Sequence, residues 1–380
     1  MVISRRALLA SAVAAAFVSE QCGRKLASRY FGWLFIASAG EKALAVADLS
    51  DFRRVTSIPL PQAPAQVFRA GKKVFASCPE GRAIYEIDPE SFRIAGKIAF
   101  PGRIAGCAVC PDDSRIAVLV EQPAALHLVD PASRKVTARI AVSATPGLIN
   151  LTDTVAALSM AGGTTITRVS LVSAKVIGST EVGFRPGVLR VHDDARLILA
   201  GASDRGEIVT VSTDSGALIA RLPLAFTPAR FCFNIDNGHE GGQMFVTGSS
   251  GDEIAICSPY QSEVEQTIVG GRTPFAMAVG ATGDQNLLYV TNPGSGDLSI
   301  FDIDTRMLAA SVHIGGKPGE VLLTPDGEYA LVVNQESGDV SVVRVQTVLD
   351  KKNKVKPLFT VFPTGANPQS AAIVPALRAG

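Results

Sequence analysis

Tyr289-Val290-Thr291-Asn292-Pro293-Gly294-Ser295-Gly296-Asp297-Leu298-Ser299-Ile300-Phe301-Asp302 joins two short apolar runs through a glycine-rich turn. The same unit returns at Phe35–Ser38, Phe75–Ser77, Val118–Glu121, Ala156–Ser159, Ile198–Gly201, Phe245–Gly248 and Leu331–Asn334, which makes eight occurrences. Between the units stands a second marker, a proline that opens each new strand: Pro64, Pro101, Pro146, Pro186, Pro228, Pro274, Pro318 and Pro368. Successive prolines lie 37 to 50 residues apart, a period of about 43 residues.

Each unit contains four runs of strand composition. In the last unit these are Glu320–Thr324, Tyr329–Asn334, Val340–Val345 and Leu358–Pro363, with Pro325-Asp326-Gly327-Glu328 as the first turn. Asp88, Asp130, Ser170, Ser212, Ser258 and Asp302 each stand six residues before an aliphatic residue (Ile94, Val136, Val176, Leu218, Val264 and Leu308). A short Asp or Ser side chain there can bond the backbone N–H groups of a hairpin turn. The alternation in Val340, Val342 and Val345 is imperfect, as for strands covered on both faces. No run shows the i, i+3, i+4, i+7 spacing that a helical repeat needs.

Four short strands every 40–45 residues predict an all-β fold, a β-propeller of four-stranded antiparallel blades. Eight blades are expected, with seven as the fallback should one fainter unit, around Val118 or Ala156, not form a blade. The chain enters the repeat at Phe31 without a proline-led strand and ends with one, Pro368–Pro375, that has no continuation. Ser370–Val374 is therefore expected to pair into the blade begun by Trp33–Leu60, closing the ring and leaving no open sheet edge.

The fragment Leu288–Asp302, with Tyr-Val-Thr-Asn, Gly294-Ser295-Gly296 and Phe301-Asp302, resembles the YVTN-repeat β-propeller family. That family includes YncE-like and surface-layer proteins, and its wider group includes cytochrome d1-like propellers. The resemblance covers about residues 31–375 and is sharpest over Pro274–Val345. It implies a ring whose ligand face lies at one end of a central channel, and many such relatives have seven blades. The organisation expected is an export signal over residues 1–22, a short linker over 23–30, one propeller over 31–375 and a tail over 376–380.

Composition narrows the function. The chain has 380 residues, and 36 Lys+Arg against 35 Asp+Glu leave a net charge of +1, which argues against nucleic-acid binding by bulk charge and against a polybasic membrane anchor. Apolar residues make up 47%, ample for a large core, so extended disorder is excluded. Ser4-Arg5-Arg6-Ala7-Leu8-Leu9 precedes an apolar stretch, Ala7 to Val18, too short to span a bilayer. This reads as a twin-arginine-like export signal, with cleavage after Ala14-Ala15-Ala16 and a periplasmic or envelope destination. Cys22 is a candidate for lipidation, although Ser19-Glu20-Gln21 is a poor match to the residues that precede a lipid-modified cysteine. That lipid is the one membrane attachment expected, and a monomer is the expected state.

Function is expected at the channel face. The proline-led connections carry Arg103, Arg185, Arg230, Arg272 and Lys317, and the second strands end near Ser38, Glu121, Ser159, Asn292, Asn334 and Glu336. Converging cations in a concave mouth favour an anionic ligand or an envelope protein, with Arg103, Arg185, Arg230, Arg272, Lys317, Asn292, Asn334 and Glu121 as the binding set. The bland alternative is that each Arg pairs with a blade carboxylate. Cys107-Ala108-Val109-Cys110 has Cys-x-x-Cys spacing, but on one innermost strand the two thiols would point to opposite faces. Pro111 also stands where a c-type haem motif has His. Four histidines (His127, His192, His239 and His313) are too few and too scattered for most catalytic schemes. No cofactor, metal site or catalytic residue is assigned. The alternatives are a lactonase-like hydrolase or a cofactor-dependent oxidoreductase, using carboxylates such as Glu41, Glu80, Glu121 or Glu336, and a passive scaffold. Lys351-Lys352-Asn353-Lys354 reads as a solvated basic hairpin.

Overall fold

A computed structural model describes residues 30–282, 285–349 and 356–376. The leader, Cys22 and the Lys351–Lys354 run lie outside the described residues. The chain forms eight antiparallel sheets of four strands each, so each repeat unit becomes one blade. Seven blades run from innermost to outer strand along the sequence. They begin at Gln66–Ala70, Ile104–Val109, Pro146–Leu151, Pro186–Val191, Pro228–Asp236, Met277–Thr282 and Pro318–Leu323, and are numbered 2 to 8. Blade 1 is composite: Gly32–Ser38, Ala43–Asp48 and Arg53–Pro59 are its second to outer strands, and Pro368–Pro375 supplies the innermost. Trp33 faces Val374 and Ile36 faces Ala371 in that closing ladder, as the unpaired last strand of the sequence implied.

Each pair of adjacent blades shares its own apolar core. Between blades 1 and 2, Phe35, Val46 and Ile58 meet Val67, Val74 and Ile87. Between blades 8 and 1, Tyr329, Leu331 and Val342 meet Leu34, Ile36 and Phe52. Middle strands are therefore covered on both sides, and Val340, Ser341, Val342 and Val343 are all 0% exposed. This is why their alternation is blurred in the sequence.

The hairpin marker works as its chemistry suggests. Asp88 accepts the Glu90 N–H at 2.9 Å, Asp130 the Ala132 N–H at 2.8 Å and Asp302 the Thr305 N–H at 2.8 Å. Ser170, Ser212 and Ser258 accept the N–H groups of Ser173, Ser215 and Tyr260. These bonds favour ionised carboxylates and hold Asp88, Asp130 and Asp302 below the ordinary range. The turns close on left-handed residues: Phe92, Arg134, Ala174 and Arg306 have φ of 52° to 60°. One short helix, Val345–Leu349, replaces a tight turn between the third and outer strands of blade 8, with Val345 and Val348 buried. No helix was expected there, because two buried valines three residues apart also suit a strand and its flank.

The Tyr-Val-Thr-Asn signature is structural in origin. Asn292 donates to Ser299 Oγ at 2.9 Å, and Ser299 in turn donates to the Gly270 carbonyl at 2.8 Å. Asn334, Ser341 and the Ile314 carbonyl repeat the arrangement one blade later. Thr291 Oγ1 donates to the Gly319 carbonyl at 2.9 Å, tying blade 7 to blade 8. The motif thus latches the connections that enter the innermost strands of blades 7 and 8.

Candidate ligand site at the channel mouth

Innermost strands present one unpaired edge to the channel, so side chains must satisfy their inward N–H groups. Asn150 Oδ1 on blade 4 accepts the Val191 N–H of blade 5, whereas Ser159 Oγ accepts the Leu148 N–H within blade 4, where the ladder to the second strand is interrupted. Ser370 Oγ is bonded to both backbone polar groups of Val67, tying the closing strand to blade 2. On the other side, Glu320 accepts the Ala371 N–H at 2.8 Å, tying it to blade 8.

The mouth opens onto a cavity of about 460 Å³ lined by residues of blades 6, 7, 8, 1 and 2. Gln66, Arg230, Ala276, Glu320 and Ser370 line it, each standing two residues after a marker proline. Phe231, Phe275, Met277, Gln335 and Gln369 complete the wall named here. The Arg230 guanidinium sits 4.4 Å from the centre of the Phe275 ring, and its Nη1 donates to the Ala229 carbonyl at 2.8 Å. Enclosure by the channel wall pushes Arg230 down from its ordinary value. Desolvation pushes the Glu320 carboxyl up to about 7, against the opposing pull of the Ala371 N–H.

Apart from Arg230, the residues singled out in the sequence fall into three groups. Arg103 donates to Glu80 at 2.7 Å and to Glu121 at 2.5 Å, which raises its pKa and leaves both carboxylates neutralised. Asn292 and Asn334 are 0% exposed and committed to the latches described above, so neither offers a surface to a ligand. Arg185, Arg272 and Lys317 are exposed in their connections, and none is bonded to a carboxylate among the described residues. Arg230 belongs to none of these groups. It lies on an innermost strand, not in a connection, and faces the channel. Sequence reading missed Glu320, Gln66, Gln335 and Gln369. The signal available for two of these four, Gln66 and Glu320, is the second position after a marker proline.

Other candidate chemistry is dispersed. Cys107 packs between blades 2 and 3 and Cys110, just past that strand's end, between blades 3 and 4. Burial pushes their thiols up to about 12 and about 11, and all five described cysteines are free. His127 is buried on a third strand, and His313 pairs with Asp297 at 2.9 Å at the rim. His192, Asp193 and Glu240 gather on the face opposite the mouth, within reach of one metal ion. There Glu240 already holds Arg190 and the Asp193 N–H, while Asp193 holds the Glu240 N–H, so the cluster works as a latch between blades 5 and 6.

A closed ring of eight four-stranded blades around a polar, ligand-sized mouth defines a β-propeller. A family model described as Lactonase, 7-bladed beta-propeller, matches residues 252–358. The seven-bladed beta-propeller protein Rv1057 of Mycobacterium tuberculosis is 22% identical over 153 residues, 39% of this chain and 38% of that protein. The uncharacterized protein YncE of Salmonella typhi is 25% identical over 134 residues, 35% of this chain and 37% of that protein. The matched segments thus span under two-fifths of each relative. Dihydro-heme d1 dehydrogenase NirN in complex with DHE has a TM-score of 0.71 at 14% identity, over 90% of this chain and 75% of that one. Apo AztD from Citrobacter koseri has a TM-score of 0.67 at 13% identity, over 90% and 98%. The chain is an eight-bladed β-propeller similar in part of its length to YncE and Rv1057, where the matching family model has seven blades.

Proposed function

We propose that this protein is an exported binding propeller that captures an anionic ligand or envelope partner at its channel mouth, without chemistry of its own. The observation that carries the reading is an arc of cations, Arg185, Arg230, Arg272 and Lys317, entering four successive blades. None is neutralised by a carboxylate among the described residues, whereas Arg103, outside the arc, is held by two. Cations fixed on a stiff ring before the ligand arrives need little ordering on binding.

Citrate and a hexaglutamate peptide are suitable probes. Replacing Arg185, Arg272 and Lys317 together with Ala is expected to weaken both by at least about tenfold, since each exposed charge contributes about 0.5–1 kcal/mol and salt screens it. Titration calorimetry at two ionic strengths measures this, and unchanged affinity removes the site. Export is supported by the Ser4-Arg5-Arg6 leader. The double substitution Arg5→Lys, Arg6→Lys is expected to retain the protein in the cytosolic fraction. Equal recovery from the envelope would end that part of the reading.

A further inference from the structure

We propose that the cavity beneath the cation arc holds a short peptide with both ends free, its carboxylate on Arg230 and its ammonium on Glu320. This deepens the preceding reading and rests on it. Arg230 and Glu320 stand on the innermost strands of blades 6 and 8, facing one cavity of about 460 Å³, a size typical of small-molecule sites. No ion pair joins them among the described residues: the Arg230 cation is exposed at the mouth, and the half-buried Glu320 carboxyl has no cation beside it. Ionising a carboxyl in that setting is costly unless a cation complements it.

The free valences match the two ends of a peptide. Arg230 uses one N–H on the Ala229 carbonyl and stacks on Phe275, leaving other N–H groups of a planar fork that suits a carboxylate. Glu320 spends one oxygen on the Ala371 N–H, and its other oxygen makes no bond within the described residues. Gln66 and Gln335 have no side-chain partner among the described residues, and a carboxamide can both donate to and accept from a peptide group. Gln335 lies across Gly319, where an added Cβ would come within 3.2 Å of it. Gln369 keeps its oxygen free while its Nε2 donates to Asn367. Phe275, Ala276 and Met277 give blade 7 an apolar wall between the two charges.

Around Glu320 stand Gln335 on its own blade, Gln369 and Ser370 on the closing strand, Gln66 on blade 2, and Phe275, Ala276 and Met277 on blade 7. Arg230 is the other charged group lining the cavity. Because the Glu320 carboxyl is held near neutral pH by burial, an arriving ammonium must displace its proton. Peptide affinity should therefore fall as pH drops below about 7 and level off above it.

The test uses the full-length protein with glycine, diglycine, triglycine and tetraglycine, followed by saturation-transfer NMR and calorimetry. One length is expected to bind best, because the two charges are a fixed distance apart. N-acetylating or C-amidating that peptide should each weaken it at least about tenfold. Glu320→Gln keeps an acceptor for the Ala371 N–H, so folding is preserved, and it should abolish both the penalty for N-acetylation and the pH dependence. Arg230→Gln should abolish the penalty for amidation. Blocked peptides that bind as well as free ones, or a Glu320→Gln protein that still discriminates between them, would overturn the assignment. Citrate measured on the same unmodified protein separates the two readings. Citrate binding without any binding in the glycine series sinks the peptide site alone, and loss of both sinks the mouth as a ligand face.

Discussion

Deleting Pro368–Pro375 is expected to leave a chain that shows no cooperative melting transition. The segment is the innermost strand of blade 1, and its removal strips Gly32–Ser38 of a whole ladder. Leu34, Phe35 and Ile36, all 0% exposed, would then lie on an open sheet edge. Ala371, Ala372 and Val374 leave two inter-blade cores, and the bonds to Val67 and Glu320 are lost with them. Burial of these side chains and a ladder of backbone bonds contribute on the order of 5–10 kcal/mol. That is comparable with the entire stability of an ordinary domain. Circular dichroism melts and size-exclusion chromatography check the outcome. A truncated protein that melts as sharply as the full chain would mean the ring is not closed by this strand.

Arg168→Met is expected to cost about 2–4 kcal/mol, although no carboxylate among the described residues pairs with it. Arg168 is 5% exposed, and its Nη1 donates to the carbonyls of Thr213 at 2.6 Å and Asp214 at 2.8 Å in the neighbouring blade. The guanidinium fits because two glycines leave room for it. A Cβ at Gly216 would come within 2.5 Å of Nη2, and one at Gly178 within 2.6 Å. Gly216 also closes its turn with φ of 75°, where a side chain is strained. Methionine fills the volume but leaves the Thr213 and Asp214 carbonyls facing an apolar group. Urea unfolding measures the loss, and a change below about 1 kcal/mol would show that these carbonyls find other donors.

The fold was legible because a ring of blades writes its period into the chain. Each innermost strand must begin sharply, and the eight prolines mark those entries. The turn residues Asp88, Asp130 and Asp302 were equally legible, because their bonds reach only two or three residues along the chain. Closure followed from one surplus strand at the end.

The site was legible only in part. Arg103 finds Glu80 and Glu121 at separations of 23 and 18 residues, one of them on a neighbouring blade, so its neutralisation is a property of the ring. Asn292 and Asn334 looked like mouth residues because they are polar and end second strands. They are buried because Ser299, Ser341 and the carbonyls of the connections must be satisfied before anything else. Glu320 was passed over as an ordinary strand residue. Once the strand register is known, the second position after each proline points it, with Gln66 and Arg230, into the cavity.

The Ala376 N–H donates to the Phe31 carbonyl at 3.2 Å, so the two ends of the described chain emerge side by side. They do so where Gly32 meets Pro375, on the side of the ring away from the connections that bear Arg185, Arg272 and Lys317. Any tether fixed to either end would therefore grip the base of the disc and leave its opening turned outward, toward whatever diffuses past.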